Sequence, residues 1–161
     1  MFYYYGRKKR IAKLYPEPVY TRIIEPFAGS GAYSLHGERW KKEVYLYDTN
    51  DVVIKIWDYS RWSANKKYIL GNLHKIKHWK IENKSFELLD NFEEVTWFVD
   101  PPYKKMGVHK KKNILDYDLL SKWIISRKGQ VIVCEGVGAD YLDFQPLTEF
   151  KAVKDRISKE F

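Results

Sequence analysis

Cysteine is nearly absent from the chain: Cys134 is the only one among 161 residues. A lone thiol excludes an intramolecular disulfide and leaves no cysteine pair for a zinc site. The four histidines do not supply a metal set either, since His74 and His78 share a helix face but no further ligand stands near them. No metal is expected. No apolar run approaches the length needed to cross a bilayer, so a membrane partner is not expected. The opening "MFYYYGRKKR" sets its aromatics ahead of its charges and lacks a small-residue cleavage site, so it does not read as a signal peptide. A cytoplasmic location follows as the default. Repeats, low-complexity tracts and Gly/Ser linkers are also missing, and residues 1–161 therefore read as one domain.

What the chain has instead is aromatic and basic character. Hydrophobic residues make up 45% and aromatics 17%, enough for a packed core, and the formal net charge is +8. A small domain this basic suits a polyanionic partner, nucleic acid ahead of a membrane surface. Short apolar runs read as buried strands: "TRIIEPF" from Thr21, "EVYLYD" from Glu43, "VTWFVD" from Val95 and "QVIVCE" from Gln130. "TEFKAV" from Thr148 and "RISKEF" from Arg156 read as a final antiparallel hairpin. Helices are expected over Gly31 to Trp40, Asp51 to Leu70 and Asp116 to Arg127, with Asp116 or Asp118 capping the last. Strands alternating with helices predict an α/β fold, a mostly parallel sheet with helices on both faces.

In such sheets ligands bind beyond the carboxyl ends of the strands, and chemistry-bearing residues gather there. The first strand runs into "EPFAGSGAYS", Glu25 to Ser34, where Gly29 and Gly31 allow a tight turn and the next helix would offer free N–H groups. The second ends in "YDTN", placing Asp48 to accept bonds from ribose hydroxyls. The third ends in Asp100-Pro101-Pro102-Tyr103. Two prolines cannot extend a strand within a sheet, and the residue before a proline favours extended geometry. A stiff exit results, with free carbonyls and a fixed aromatic. A glycine loop followed by an acid on the next strand fits a dinucleotide enzyme, although Ser34 stands at the third glycine position. It fits S-adenosylmethionine equally.

"EPFAGSG" together with "DPPY" resembles the Dam-like adenine-N6 DNA methyltransferases of the D12 class, in the alpha-group order and in a small, phage-type form. "YYYGRKKRIAKLYP", Tyr3 to Pro16, is similar to that family's opening motif. The resemblance implies a Rossmann-like class I methyltransferase that uses S-adenosyl-L-methionine to methylate the N6 amine of adenine in DNA. By similarity Glu25, Phe27, Gly29 and Gly31 would line the cofactor and Asp48 would hold its ribose. Lys8 or Arg7 would reach the methionine carboxylate, this chain having Gly6-Arg7-Lys8 where the family has Gly-Gly-Lys. Ser85 stands where the family often places an acid that reads the cofactor's adenine. Asp100 would border both cofactor and substrate.

An exocyclic amine is a poor nucleophile because its lone pair is delocalised into the ring. Hydrogen bonds accepted by the Asp100 carboxylate and the Pro101 carbonyl would favour a more pyramidal nitrogen, and Tyr103 would stack on the base. The amine lies inside a duplex, so the base would be flipped out or taken from a single strand. Lys104, Lys105, His109, Lys110, Lys111 and Lys112 follow the motif and are candidates for holding the flanking phosphates. Cytosine-N4 methylation uses the same chemistry and stays open, while cytosine-C5 methylation would need a Pro-Cys nucleophile that Val133-Cys134 does not supply. An inactive nucleic-acid-binding protein with this fold and an NAD-dependent oxidoreductase are the readings from other classes. Between the glycine loop and "DPPY" little room remains for target recognition. A reduced element within about residues 61–85 is expected, with relaxed sequence preference or a partner, a second copy or a specificity subunit, to supply it.

Overall fold

The computed structural model describes residues 8, 10–62, 76–104, 115–151 and 157–160, with backbone alone for 60–62, 149–151 and 157–160. Five strands form one sheet: β1 (Arg22–Glu25), β2 (Glu43–Asp48), β3 (Lys80–Asn83), β4 (Val95–Val99) and β5 (Gln130–Val133). Their order is β3-β2-β1-β4-β5, and every pairing is parallel. The helices are α1 (Asp51–Trp62) and α2 (Tyr117–Ser126). Strands β6 (Thr148–Lys151) and β7 (Ile157–Glu160) pair antiparallel in a ladder of their own. No helix among the described residues is long and apolar enough to cross a membrane.

Alternation along the strands explains why both faces of the sheet are covered. Ile23 and Phe98 point to one face, where they join Tyr33, Leu46 and the α1 residues Val53 and Trp57. Their neighbours Ile24 and Trp97 point to the other, against Leu120, Trp123 and Ile124 of α2. Residues buried on successive positions of a strand require a layer on each side. Helix α1 starts where the Asn50 side chain accepts a bond from the Val52 N–H at 3.0 Å. Helix α2 is capped by Asp116, whose carboxylate accepts from the N–H groups of Asp118 and Leu119, the arrangement that satisfies donors left open in a first turn.

Two expectations fail in instructive ways. No α-helix follows the glycine loop: residues 31–38 are turns, ending in a short 3-10 helix over Arg39–Lys41. Gly37, at φ +55°, falls in the left-handed region, which breaks a helix in the middle of the predicted span. Conversely, Lys80–Asn83 forms a strand that its polar sequence conceals. β3 is an edge strand with one neighbour, β2, and little of it is buried, so it does not need an apolar face. It takes up part of the 61–85 stretch assigned to target recognition; residues 63–75 lie outside the described ones. The predicted helix from Asp51 to Leu70 is described as far as Trp62.

Candidate active site

The sheet order reverses between β1 and β4, with β2 and β3 on one side and β5 on the other. Crevices of doubly wound folds open at this reversal. β1 delivers Glu25 and the glycine loop to it, β4 delivers Asp100, and β2 delivers Asp48 one strand away. The three strand-end motifs of the sequence therefore converge on one edge of the molecule.

The glycine loop is held from both sides. Gly29, at φ +45°, donates its N–H to Asp48 Oδ2 at 3.0 Å, and its carbonyl accepts from the Trp57 indole at 2.9 Å. Gly31 donates to the Ala28 carbonyl at 2.7 Å. At φ +58°, with Trp57 only 2.9 Å from where a Cβ would lie, residue 31 has to be glycine. A pyrophosphate cradle needs loop N–H groups aimed outward and a helix N-terminus behind them. Here the Gly29 and Gly31 N–H groups are consumed internally and the helix is missing, so the dinucleotide reading loses its physical basis.

Asp48 also accepts from the Asn50 N–H at 2.8 Å, so both carboxylate oxygens are oriented by backbone. Burial nonetheless holds its pKa above the usual carboxylate range, against the pull of those two bonds. Glu25 is 2% exposed and accepts from the Ser34 N–H at 3.0 Å. Burial pushes its pKa up to about 7. Phe27 lies half-buried beside Phe86, ring centroids 5.5 Å apart, and Ser85 immediately precedes that ring, just beyond β3. Asp48 closes β2 opposite Asn83 of β3, two residues before Ser85.

At the end of β4, Asp100 and Tyr103 both meet Lys8. The ammonium lies 2.9 Å from Asp100 Oδ1, donates to the Tyr103 hydroxyl, and sits 4.3 Å from the centre of the Tyr103 ring. The resemblance gave Lys8 to the cofactor; the structure sets it against the Asp-Pro-Pro-Tyr residues, and a ligand carboxylate would compete with that ion pair. Pro102 gives its carbonyl to the Tyr117 hydroxyl, whereas no described residue donates to the Pro101 carbonyl. Lys104 is ion-paired with Asp140 at 2.6 Å. Arg7, Lys105, His109, Lys110, Lys111 and Lys112 lie outside the described residues.

Two site residues were not visible in the motifs. Arg39 is 2% exposed, donates to the carbonyls of Ala12 and Tyr15 at 2.9 and 3.1 Å and to Glu17, and lies 4.1 Å from the centre of the Tyr33 ring. It ties down the segment that presents Lys8. Glu135, just past β5, is 1% exposed and accepts from the Lys104 N–H at 2.9 Å. Arg39 reaches two carbonyls and the Glu17 carboxylate more than 20 residues away, and Glu135 reaches the Lys104 N–H 31 residues away, so neither leaves a local sequence signature.

No known family profile matches the sequence, and no curated protein matches it. Solved structures do resemble the fold. SMU.472, assigned as a methyltransferase and crystallised with SAH, aligns at 12% identity and a TM-score of 0.53, over 87% of this chain and 47% of its own. A Haemophilus influenzae protein assigned as a methylase aligns at 12% identity and a TM-score of 0.51, over 86% of this chain and 76% of its own. With the strand order, these likenesses establish the Rossmann-like fold of class I S-adenosylmethionine-dependent methyltransferases.

Proposed function

We propose that the chain is an S-adenosylmethionine-dependent methyltransferase acting on an exocyclic amine of a nucleobase, with the N6 amine of adenine in DNA as the first choice. The observation that carries the reading is the meeting of Asp100-Pro101-Pro102-Tyr103 with the Glu25–Gly31 loop at the reversal of strand order. The donor set fits the cofactor: Asp48 for the ribose diol, Phe27 and Phe86 beside Ser85 for the adenine, and the Glu25 carboxyl toward the cationic methionine end. When bound, S-adenosylmethionine supplies a methyl group on a sulfonium, an electrophile that needs no covalent enzyme intermediate.

The chain's own task is to hold the amine. The Asp100 carboxylate and the Pro101 carbonyl accept its two N–H groups, and Tyr103 packs on the ring. That Pro102's carbonyl is taken by Tyr117, while no described residue donates to Pro101's, suits this division of labour. Alignment of two reactants accounts for up to roughly 7–11 kcal/mol of barrier reduction in favourable cases. Lys8 pairs with Asp100 at 2.9 Å, so an incoming amine displaces or shares that contact. Phosphates flanking the base would meet the lysines after Tyr103. The SAH complex of SMU.472 and the fold shared with it support the cofactor assignment.

The test incubates the protein with S-adenosylmethionine and unmethylated duplex DNA, single-stranded DNA or RNA, then digests to nucleosides for mass spectrometry. N6-methyladenine made by the wild type and lost in Asp100→Ala is the expected result. N4-methylcytosine would move the substrate to cytosine and keep the mechanism. No methylated base in any substrate, with cofactor binding intact, would favour a nucleic-acid-binding protein that retains the fold.

A further inference from the structure

The residues following β5 hold an arrangement that no sequence motif announces. The Cys134 N–H donates to the Val99 carbonyl at 2.9 Å, which carries the ladder between β4 and β5 to the brink of the Asp-Pro-Pro-Tyr turn and sets Glu135 beside it. The Glu135 carboxylate spans two backbones, accepting from Lys104 at 2.9 Å and from Gly136 at 2.7 Å. Gly136 then packs under Tyr103. A Cβ there would lie 2.9 Å from Tyr103 Cδ2 and 3.4 Å from Cε2. Gly136 is not among the glycines with positive φ, so backbone freedom is not the reason for glycine at this position. The reason is room for the ring. Two further ties fasten the same turn, one to α2 through Tyr117 and the Pro102 carbonyl and one to the segment after β5 through Lys104 and Asp140.

We propose that Glu135 and Gly136 are positioning residues for the base clamp: Glu135 fixes the backbone leaving Tyr103, and Gly136 provides the space in which the Tyr103 ring takes its stacking orientation. This rests on the methyl-transfer reading above for its catalytic consequence, but not for its geometry. A carboxylate is required because both acceptors face N–H groups. A glutamine presents one oxygen and one NH₂, so one of the two bonds becomes a donor–donor clash. An alanine at 136 drives the ring off its plane, and a misplacement on the ångström scale lowers turnover by about tenfold to a hundredfold.

The experiment is a double-mutant cycle of Gly136→Ala with Tyr103→Ala, reading thermal stability, S-adenosylmethionine affinity and kcat on the unmethylated nucleic acid that the wild type methylates. Gly136→Ala alone should lower stability and kcat while leaving cofactor affinity unchanged. In the Tyr103→Ala background it should have little further effect on either, because the ring it displaces is gone. Glu135→Gln should fail to restore the kcat lost in Glu135→Ala. Additive effects of the two substitutions, or full rescue by glutamine, would overturn the proposal. If the wild type methylates nothing, the methyl-transfer reading fails, and the stability cycle still decides whether Gly136 acts through the Tyr103 ring.

Discussion

The most informative single residue is Glu25, a carboxyl sealed under the glycine loop. Its pKa in the folded protein, about 7, lies above the ordinary 4.5, mainly through burial. The folded state thus binds this proton more tightly than the unfolded chain does. Stability from this group is full below the unfolded value and is lost as pH rises toward and through about 7. The loss amounts to about 3 kcal/mol if the whole displacement is realised. Glu25→Gln should flatten that part of the pH dependence, which thermal unfolding across pH 5 to 8, roughly this window, will show. A cationic ligand beside Glu25 favours the ionised form. Binding of S-adenosylmethionine should therefore release a proton near neutral pH, and calorimetry in buffers of different ionisation enthalpy measures it directly. A binding heat independent of buffer would place the sulfonium and ammonium away from Glu25.

At the scale of elements, legibility followed local chemistry. β1, β2, β4 and β5 are runs of branched and aromatic residues, and they form where their sequences say. β3 escaped notice because an edge strand with one neighbour carries no obligatory apolar face. The helix expected after Gly31 is absent because periodicity could not weigh the left-handed Gly37 against it. The strand-end residues Asp48, Glu25 and Asp100 were readable, being tied to motifs. Arg39 and Glu135 were not, since their partners, peptide groups and for Arg39 also the Glu17 carboxylate, stand far away in sequence or carry no residue identity. Turns can be tested in the same spirit. Gly129, between α2 and β5, has φ +85° and would place a Cβ 2.3 Å from the Val95 carbonyl oxygen, whereas at Gly37, φ +55°, nothing lies within 4 Å. Gly37→Ala should cost about 1–2 kcal/mol from backbone strain alone. Gly129→Ala should cost more, because β4 backbone cannot yield, and denaturant titration of the pair separates strain from collision.

For the whole molecule, the formal charge of +8 predicts that the proposed nucleic-acid binding has a strong electrostatic component. Log affinity should fall linearly with log salt, by about 0.7–0.9 for each phosphate neutralised. Replacing Lys110, Lys111 and Lys112 together by glutamine should reduce that slope by about two to three if all three meet phosphates. An unchanged slope would move the contact surface elsewhere on the chain. Because such contacts carry no sequence information, the same substitutions should weaken all substrates alike.

The placement of β1 between β2 and β4 also has a bearing on how the protein is made. Translation releases β1, the glycine loop and β2 early, yet β1 finds its second neighbour only when residues 95–97 emerge, and the wall behind Tyr103 arrives later still. A nascent chain therefore carries the glycine loop with one flank of its central strand bare and Asp100 not yet across from it. Ribosome-bound chains halted before β4 should be open to protease around the glycine loop, and chains extended past Gly136 should resist it. The central strand is flanked on its second side only when β4 closes on β1 and β5 on β4, so a chain stopped before β4 presents β1 with one edge bare.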